Sequence, residues 1–254
     1  RRRLSSTLVI SRMVTGLWQV ADLERAGGAG LDVELAVRDL TLYREAGLCT
    51  FDMADHYGSA EVLAGRVACA CAPGAVQCLT KWVPMPGREH ATAATVDAAV
   101  ATALSRLGST AIDLLQLHTW EYTDGAWLDQ LELLAKHPNV RNVGLCNFDA
   151  DHARVALMSG VRVVTNQVSY SLLDRRAAGE MTSLCQSSGM QLLPFGVLAG
   201  GLLTDRYLDR ADLTADELAA SWSLAKYRRY VDCCGGWPKL QSLLRVLRAV
   251  ADGH

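Results

Sequence analysis

Val76-Gln77-Cys78-Leu79-Thr80-Lys81-Trp82, then Thr92–Leu107 closed by Gly108, then Ile112-Asp113-Leu114-Leu115-Gln116-Leu117-His118: this succession decides the fold. The first and third pieces are apolar runs of strand length. The middle piece is Ala-rich, has helical spacing and stops at a glycine, a common helix terminator. A strand, a helix and a strand in that order make a unit whose strands run parallel.

The pattern repeats on both sides. Upstream lie Cys49–Met53 and Met13–Gln19, the latter preceded by a hairpin strand at Thr7–Ile10. Downstream lie Val140–Cys146, Val161–Val168 and Met190–Leu198. Helical spacing fills the gaps at Leu31–Ala46, Trp127–Lys136, Ala150–Met158 and Arg176–Ser187, and further helices are expected at Trp222–Val231 and Lys239–Val250. Strands apolar on both faces, alternating with helices, leave an open doubly wound sheet or a closed barrel. An open dinucleotide-binding sheet calls for Gly-x-Gly-x-x-Gly after a strand, whereas Gly27-Gly28-Ala29-Gly30 follows a charged stretch. The expected fold is α/β, a (β/α)8 TIM barrel forming a single domain over residues 1–254. Seven core strands can be read, so the barrel is expected to lack, or not to close, its last βα unit.

Apolar residues make up 50% of the 254 residues and charged residues 20%, which suits a packed enzyme. The formal net charge of −2 lacks the basic excess of a nucleic-acid binder. No apolar run approaches the roughly 18 residues of a membrane span. Arg1, Arg2 and Arg3 are expected to fray as a basic, disordered terminus within residues 1–6. The start Arg1-Arg2-Arg3-Leu4-Ser5-Ser6 has transit-peptide composition, but it is too short to establish one. The eight cysteines are scattered without Cys-x-x-Cys spacing, which points to a reducing compartment and no metal site. A cytoplasmic location is expected, with an organellar one as the alternative. Cys233-Cys234 is read as having no redox role.

Function in a barrel sits at the C-terminal ends of the strands. There the sequence places Asp52, with Tyr57 in the following loop, then Lys81, His118, Asn147 and Gln167. Each of the first four has a structural reading: a cap, a half-buried aromatic, a paired lysine, a core histidine. Together they support proton donation from a phenol. Tyrosine has a pKa near 10, too high for an efficient acid at neutral pH, and a lysine ammonium is expected to lower it. Asp52 would keep Lys81 charged and in place, and His118 would orient a carbonyl oxygen toward Tyr57. A carbonyl protonated in this way accepts hydride at carbon, and hydride must come from a cofactor.

These segments resemble the aldo-keto reductases. Phe51-Asp52-Met53-Ala54-Asp55-His56-Tyr57-Gly58, Leu79-Thr80-Lys81, Asp113–His118, Val143-Gly144-Leu145-Cys146-Asn147-Phe148, Asn166–Leu173 and Leu198–Thr204 are similar to that family's motifs in order and spacing, and Gly16-Leu17-Trp18-Gln19 to its first strand. The resemblance runs from about Met13 to about Tyr207. It implies reduction of a small-molecule carbonyl with NADPH as cofactor and a catalytic tetrad of Asp52, Tyr57, Lys81 and His118. It also implies cofactor contacts from Gly16, Leu17 and Asp52, with Asn147 and Gln167 on the nicotinamide carboxamide and Gly196 and Leu198 along the pyrophosphate.

Cys146 stands where the family has Ser, and Phe195 where a Tyr stacks on the nicotinamide. The family's Gly-rich segment that grips the adenosine phosphate with Lys, Ser and Arg would follow a stretch like Leu240–His254, so weak NADPH binding and marginal stability, or a piece of a longer chain, are expected. Trp18, Trp82 and Trp120 follow strand ends, either as an aromatic wall around the substrate or as a plug in the barrel mouth. A non-catalytic barrel-type binding or auxiliary subunit, or an inactive truncated product, is the competing function.

Overall fold

The computed structural model describes residues 1–25 and 31–254. The glycine cluster Gly27–Gly30 lies outside the described residues. The chain folds into two compact units: Arg1–Gln167 with Met181–Leu193, and Val168–Glu180 with Pro194–His254.

The chain opens with a short antiparallel pair, β1 (Arg2–Arg3) and β2 (Val9–Ile10). Among the described residues, seven strands then follow in one sheet: β3 (Thr15–Gly16), β4 (Thr50–Asp52), β5 (Gln77–Trp82), β6 (Leu114–Leu117), β7 (Val143–Cys146), β8 (Val163–Ser169) and β9 (Gln191–Phe195). Their spatial order is their chain order, and the registered pairs from β3 to β8 are parallel. Seven consecutive strands in this order are those of a (β/α)8 barrel without its last unit, as the alternation predicts. All seven expected runs contain a strand, each shorter than its apolar run.

Between the strands lie α1 (Trp18–Arg25), α2 (Val33–Glu45), α3 (Ala60–Cys69), α4 (Ala93–Leu107), α5 (Ala126–Lys136), α6 (Ala150–Met158) and α7 (Glu180–Ser188). Local chemistry fixes their ends. Thr92 caps α4 through the Thr95 amide, and Gly108 ends it in the left-handed region at φ 59°. Asp32 and Asp149 cap α2 and α6 in the same way. The α4 face carrying Val96, Val100, Ala103 and Leu107 is buried. Helices α3 and α4 approach closely at Gly65, where a Cβ would stand 2.5 Å from the Leu107 carbonyl oxygen.

The first unit's interior holds Leu8 and Ile10 packed with Leu79, Leu114 and Val164. Each such fully buried side chain is worth about 1.5–3 kcal/mol. Leu8 and Ile10 therefore anchor the N-terminal pair to the core of that unit, while Arg2 and Arg3 stay exposed on its outer strand. The expectation of a frayed basic terminus is corrected: Arg2–Arg3 pair with Val9–Ile10, and Arg2 donates to Gln191 Oε1 at 2.8 Å. A second correction falls at Trp18 and Gln19, read as strand but found to open α1 after β3 stops at Gly16. Helix α3 is an addition that the apolar pattern did not single out. Gly196 and Leu198, read as strand, lie beyond the end of β9.

The second unit is helical after β9, with two 3-10 turns (Ala199–Gly201 and Asp205–Tyr207), then α8 (Ala215–Ala220), α9 (Trp222–Cys233) and α10 (Gly236–Asp252). Tyr207, Tyr227, Val231, Trp237, Leu240 and Leu244 form its core. Gln241 ties it internally, donating to the Tyr207 carbonyl at 2.9 Å and accepting from the Asp209 amide at 2.7 Å.

Candidate active site

Parallel registration sets the tetrad's platform. Asp52 pairs with Leu79 and Lys81 with Gln116, so successive strand ends stand side by side. Backbone bonds continue past the strands, from Asp55 N to Lys81 O at 3.0 Å and from His118 N to Trp82 O at 2.9 Å.

Lys81 Nζ donates to Asp52 Oδ2 and to the Met53 carbonyl oxygen, both at 2.7 Å. Lys81 is only 2% exposed and Asp52 8%. Burial alone would pull the lysine pKa down. The Asp52 carboxylate, with the ionisable groups of Tyr57 and Cys146, outweighs that and holds it above the ordinary lysine range. The ammonium therefore stays charged. Asp52 Oδ1 accepts from Gln167 Nε2 at 2.8 Å and from Gln116 Nε2 at 3.4 Å, so both carboxylate oxygens are engaged.

The same ammonium lies 4.9 Å from the centroid of the Tyr57 ring. Trp18 and His56 pack edge-on to that ring, each with a centroid separation of 4.9 Å. Their packing reverses one expectation. Burial raises the Tyr57 pKa by more than the Lys81 charge lowers it, so the net shift is upward. Lysine acts in the expected direction, but desolvation is the larger effect.

His118 is half-buried, with its Nε2 3.2 Å from Asn147 Nδ2, and Trp120 stacks on it at 5.1 Å. Asn147 holds a left-handed backbone at φ 61°, which asparagine tolerates better than most residues. Asn147 and Gln167, expected on a cofactor carboxamide, thus bond tetrad members: Asn147 with His118, Gln167 with Asp52. A register shift between β7 and β8 places Gln167 opposite Cys146. One extra residue in a strand flips which side chains face inward. Here Gln167 reaches Asp52, while its neighbour Asn166 donates to the Phe148 carbonyl at 2.9 Å. Cys146 Sγ lies 3.7 Å from Gln167 Oε1, so the thiol occupies a polar contact position.

Gly16 pairs with Asp52 across β3 and β4, and Leu17 N donates to Asp52 O at 2.9 Å. The Leu17 side chain is buried, which leaves its backbone as the part that meets the site. Trp82 and Trp120, with His56 and Lys81, line a cavity of about 520 Å³ that Tyr57 and His118 do not line. Trp18 instead packs on Tyr57. The three tryptophans therefore divide between bracing the phenol, stacking on His118 and lining this cavity.

Phe195, Gly196 and Leu198 fall in the second unit. Phe195 ends β9, and its carbonyl accepts from Tyr170 N at 3.1 Å. Gly196 has φ 67°, and Leu198 is 57% exposed. Among the described residues no group of three or more His, Cys, Asp or Glu is arranged to hold a metal. No described helix is long and apolar enough to cross a membrane.

Four further residues shape this site beyond those expected from the sequence. His56 Nδ1 bonds Asp55 Oδ1 at 2.8 Å. Gln116, in the middle of an apolar strand, points at Asp52. Glu61, 1% exposed, accepts from Thr80 Oγ1 at 2.6 Å and from Arg106 at 3.0 Å, and Arg106 also donates to the Asp55 carbonyl at 2.7 Å. This half-buried pair ties the loop that carries His56 and Tyr57 to α3 and α4. A carboxylate in the first turn of an Ala-rich helix is its one visible signal in the sequence.

The Aldo/keto reductase family model matches residues 12–254. The chain belongs to the aldo/keto reductase family. It is 29% identical to flagellar radial spoke protein 5 of Chlamydomonas reinhardtii over 56% of this chain and 31% of that protein. It is 26% identical to an NADH-specific methylglyoxal reductase of Escherichia coli over 79% of this chain and 67% of that protein. The chain thus spans about a third of the length of the first relative. Among solved structures, an aldo-keto reductase from Klebsiella pneumoniae in complex with NADPH superposes with a TM-score of 0.64 at 23% identity, covering 80% of this chain and 70% of that one. This member of the aldo/keto reductase family therefore shares the fold of a protein crystallised with NADPH.

Proposed function

We propose that this aldo/keto reductase reduces a small aldehyde or ketone to the alcohol, using NADPH, with Tyr57 as proton donor. The observation that carries the reading is the placement of one buried ammonium, 2.7 Å from Asp52 Oδ2 and 4.9 Å from the Tyr57 ring. Nothing structural requires a lysine there, because burying its charge is costly unless it is paired.

Asp52 fixes the Lys81 ammonium. That charge stabilises the Tyr57 phenolate left after proton transfer. The upward net shift keeps the phenol protonated through neutral pH, so the acid form is present to donate. His118 orients the carbonyl oxygen toward the Tyr57 hydroxyl. When bound, the nicotinamide supplies the hydride that no side chain can provide.

The donor set suits such a cofactor. Asn147 and Gln167 carry the amide groups that pair with a carboxamide, beside Gly16, the Leu17 backbone and Asp52. Within the second unit, the Phe195 ring offers a stacking face, and Gly196 and Leu198 offer backbone to a diphosphate. The place of the reaction is taken to be cytoplasmic.

Incubating the protein with a panel of small aldehydes and either NADPH or NADH, and following cofactor oxidation, tests this reading. Turnover with NADPH exceeding that with NADH supports it. The reverse preference would shift it toward the chemistry named for the Escherichia coli relative. A second reading, a non-catalytic assembly subunit, is favoured by similarity to a flagellar radial spoke protein. Absence of turnover with every aldehyde, in a folded protein, would favour it.

A further inference from the structure

Helix α9 carries Lys226 and Tyr227 against the turn that follows β9. Lys226 Nζ lies 4.9 Å from the Phe195 ring centroid and 5.3 Å from that of Tyr227. Tyr227 is buried in the second unit's core. A Cβ at Gly196 would overlap the Tyr227 hydroxyl, and one at Gly200 would stand 2.7 Å from Tyr227 Cδ2. Both glycines also have positive φ, 67° and 65°. Turn and helix are thus fitted to each other through Tyr227, which fixes where the neighbouring Lys226 ammonium lies.

The turn's own backbone is shaped for an anion. Leu198 is near the right-handed region (φ −96°, ψ 12°) and Ala199 is left-handed at φ 49°. A right-then-left succession turns the flanking N–H groups, here those of Leu198 and Gly200, toward one side, a concavity suited to an anion, while the Ala199 N–H between them donates to the Gly196 carbonyl at 2.8 Å. Ala199 is fully buried and has a Cβ, so it holds this conformation against a steric penalty. Val197 and Leu198 leave the surface of the turn open, at 54% and 57% exposure. A strained turn and a helix-borne cation at one place favour a ligand bearing more than one negative charge.

We propose that Lys226 is a cofactor-binding residue whose ammonium pairs with the diphosphate of the dinucleotide held at the Phe195–Gly201 turn. This rests on the reading of the chain as a nicotinamide-dependent reductase. It adds a cation from α9, a segment that no motif in the sequence pointed to. Because the diphosphate is common to NADPH and NADH, Lys226 contributes to both and does not choose between them.

The test titrates wild type, Lys226→Met and Lys226→Arg with NADPH, NADH and ADP-ribose, using tryptophan fluorescence at two salt concentrations, with thermal unfolding as the fold control. Methionine keeps a flexible unbranched apolar side chain at this position and removes the charge. The expected result is about tenfold or more weaker binding of all three ligands by Lys226→Met, from loss of a charge-assisted contact. Salt dependence is reduced and Lys226→Arg restores part of the affinity. Unchanged Kd values in Lys226→Met, or weakening of NADPH alone, which marks a 2′-phosphate contact, overturn the proposal. Wild type binding ADP-ribose through Lys226 but neither dinucleotide would sink the reductase reading and leave the diphosphate site standing. Binding of none of the three overturns both.

Discussion

The ends of β4–β6 and the turn after β9 hold their cations in opposite ways. Lys81 is buried, paired with a carboxylate and fixed by strand register, so its position follows from the sheet itself. Lys226 is half-buried on a helix, set by the fit of one tyrosine into two glycines. The first arrangement makes a rigid electrostatic environment for a proton. The second leaves a cation at an open turn, suited to an anion that must enter and leave. Chemistry and cofactor affinity should therefore separate under mutation.

The largest effect is expected at Tyr57. Tyr57→Phe removes the donor and keeps the ring between Trp18 and His56. Turnover should fall by about 10²–10⁴-fold, with NADPH affinity within twofold or so of wild type. Lys226→Met should show the converse pattern, which would break the comparison if it did not.

Stability distinguishes the two regions next. Lys81→Met leaves the Asp52 carboxylate buried with only amide partners, and should cost about 3–5 kcal/mol in urea unfolding. Glu61→Gln breaks an ion pair in which the carboxylate is buried but Arg106 can reach solvent. A smaller loss, about 1–3 kcal/mol, is expected. Gly196→Ala puts a methyl group into the Tyr227 hydroxyl at φ 67°. It should weaken NADPH binding and cost about 1–2 kcal/mol from the left-handed backbone.

Much of the first region is legible in the sequence. Asp52, Lys81 and His118 lie at strand ends that apolar runs define, and parallel strands bring such ends together. What escapes reading depends on distant partners. The bulge that turns Gln167 rather than Asn166 toward Asp52 has no local signal. The upward shift of Tyr57 depends on Trp18 and His56 packing against it, and so on a helix, α1, that begins where strand is expected. The apolar run Gly16-Leu17-Trp18 suits either element, and the short pairing of β3 decides it. In the second region Phe195, Gly196 and Leu198 could be placed only by resemblance. Lys226 and Tyr227 matter because α9 folds against a turn about 30 residues earlier in the chain.

Titration offers two finer checks. The folded-state pKa of Tyr57 lies above its ordinary value near 10. Its contribution to stability, and the acid form needed for catalysis, are thus intact below about pH 10 and are lost as pH rises through the folded value. The rate should be flat across neutral pH on this limb and fall only in strong alkali. The smallest expected effect concerns thiols. Burial, with Asp113 nearby, pushes Cys78 up to about 12, whereas Cys69, Cys233 and Cys234 are exposed. Alkylation at mildly alkaline pH should label the exposed three and spare Cys78 until the protein unfolds.

The central claim is that Tyr57, supported by Lys81 and Asp52, delivers the proton. A single-turnover experiment tests it most directly: wild type and Tyr57→Phe, each saturated with NADPH as judged by fluorescence, are mixed with a reactive aldehyde and cofactor oxidation is followed. Oxidation by wild type and loss of at least about 10²-fold in the variant is the predicted result. Equal rates in the two proteins, with equal cofactor occupancy, would contradict it.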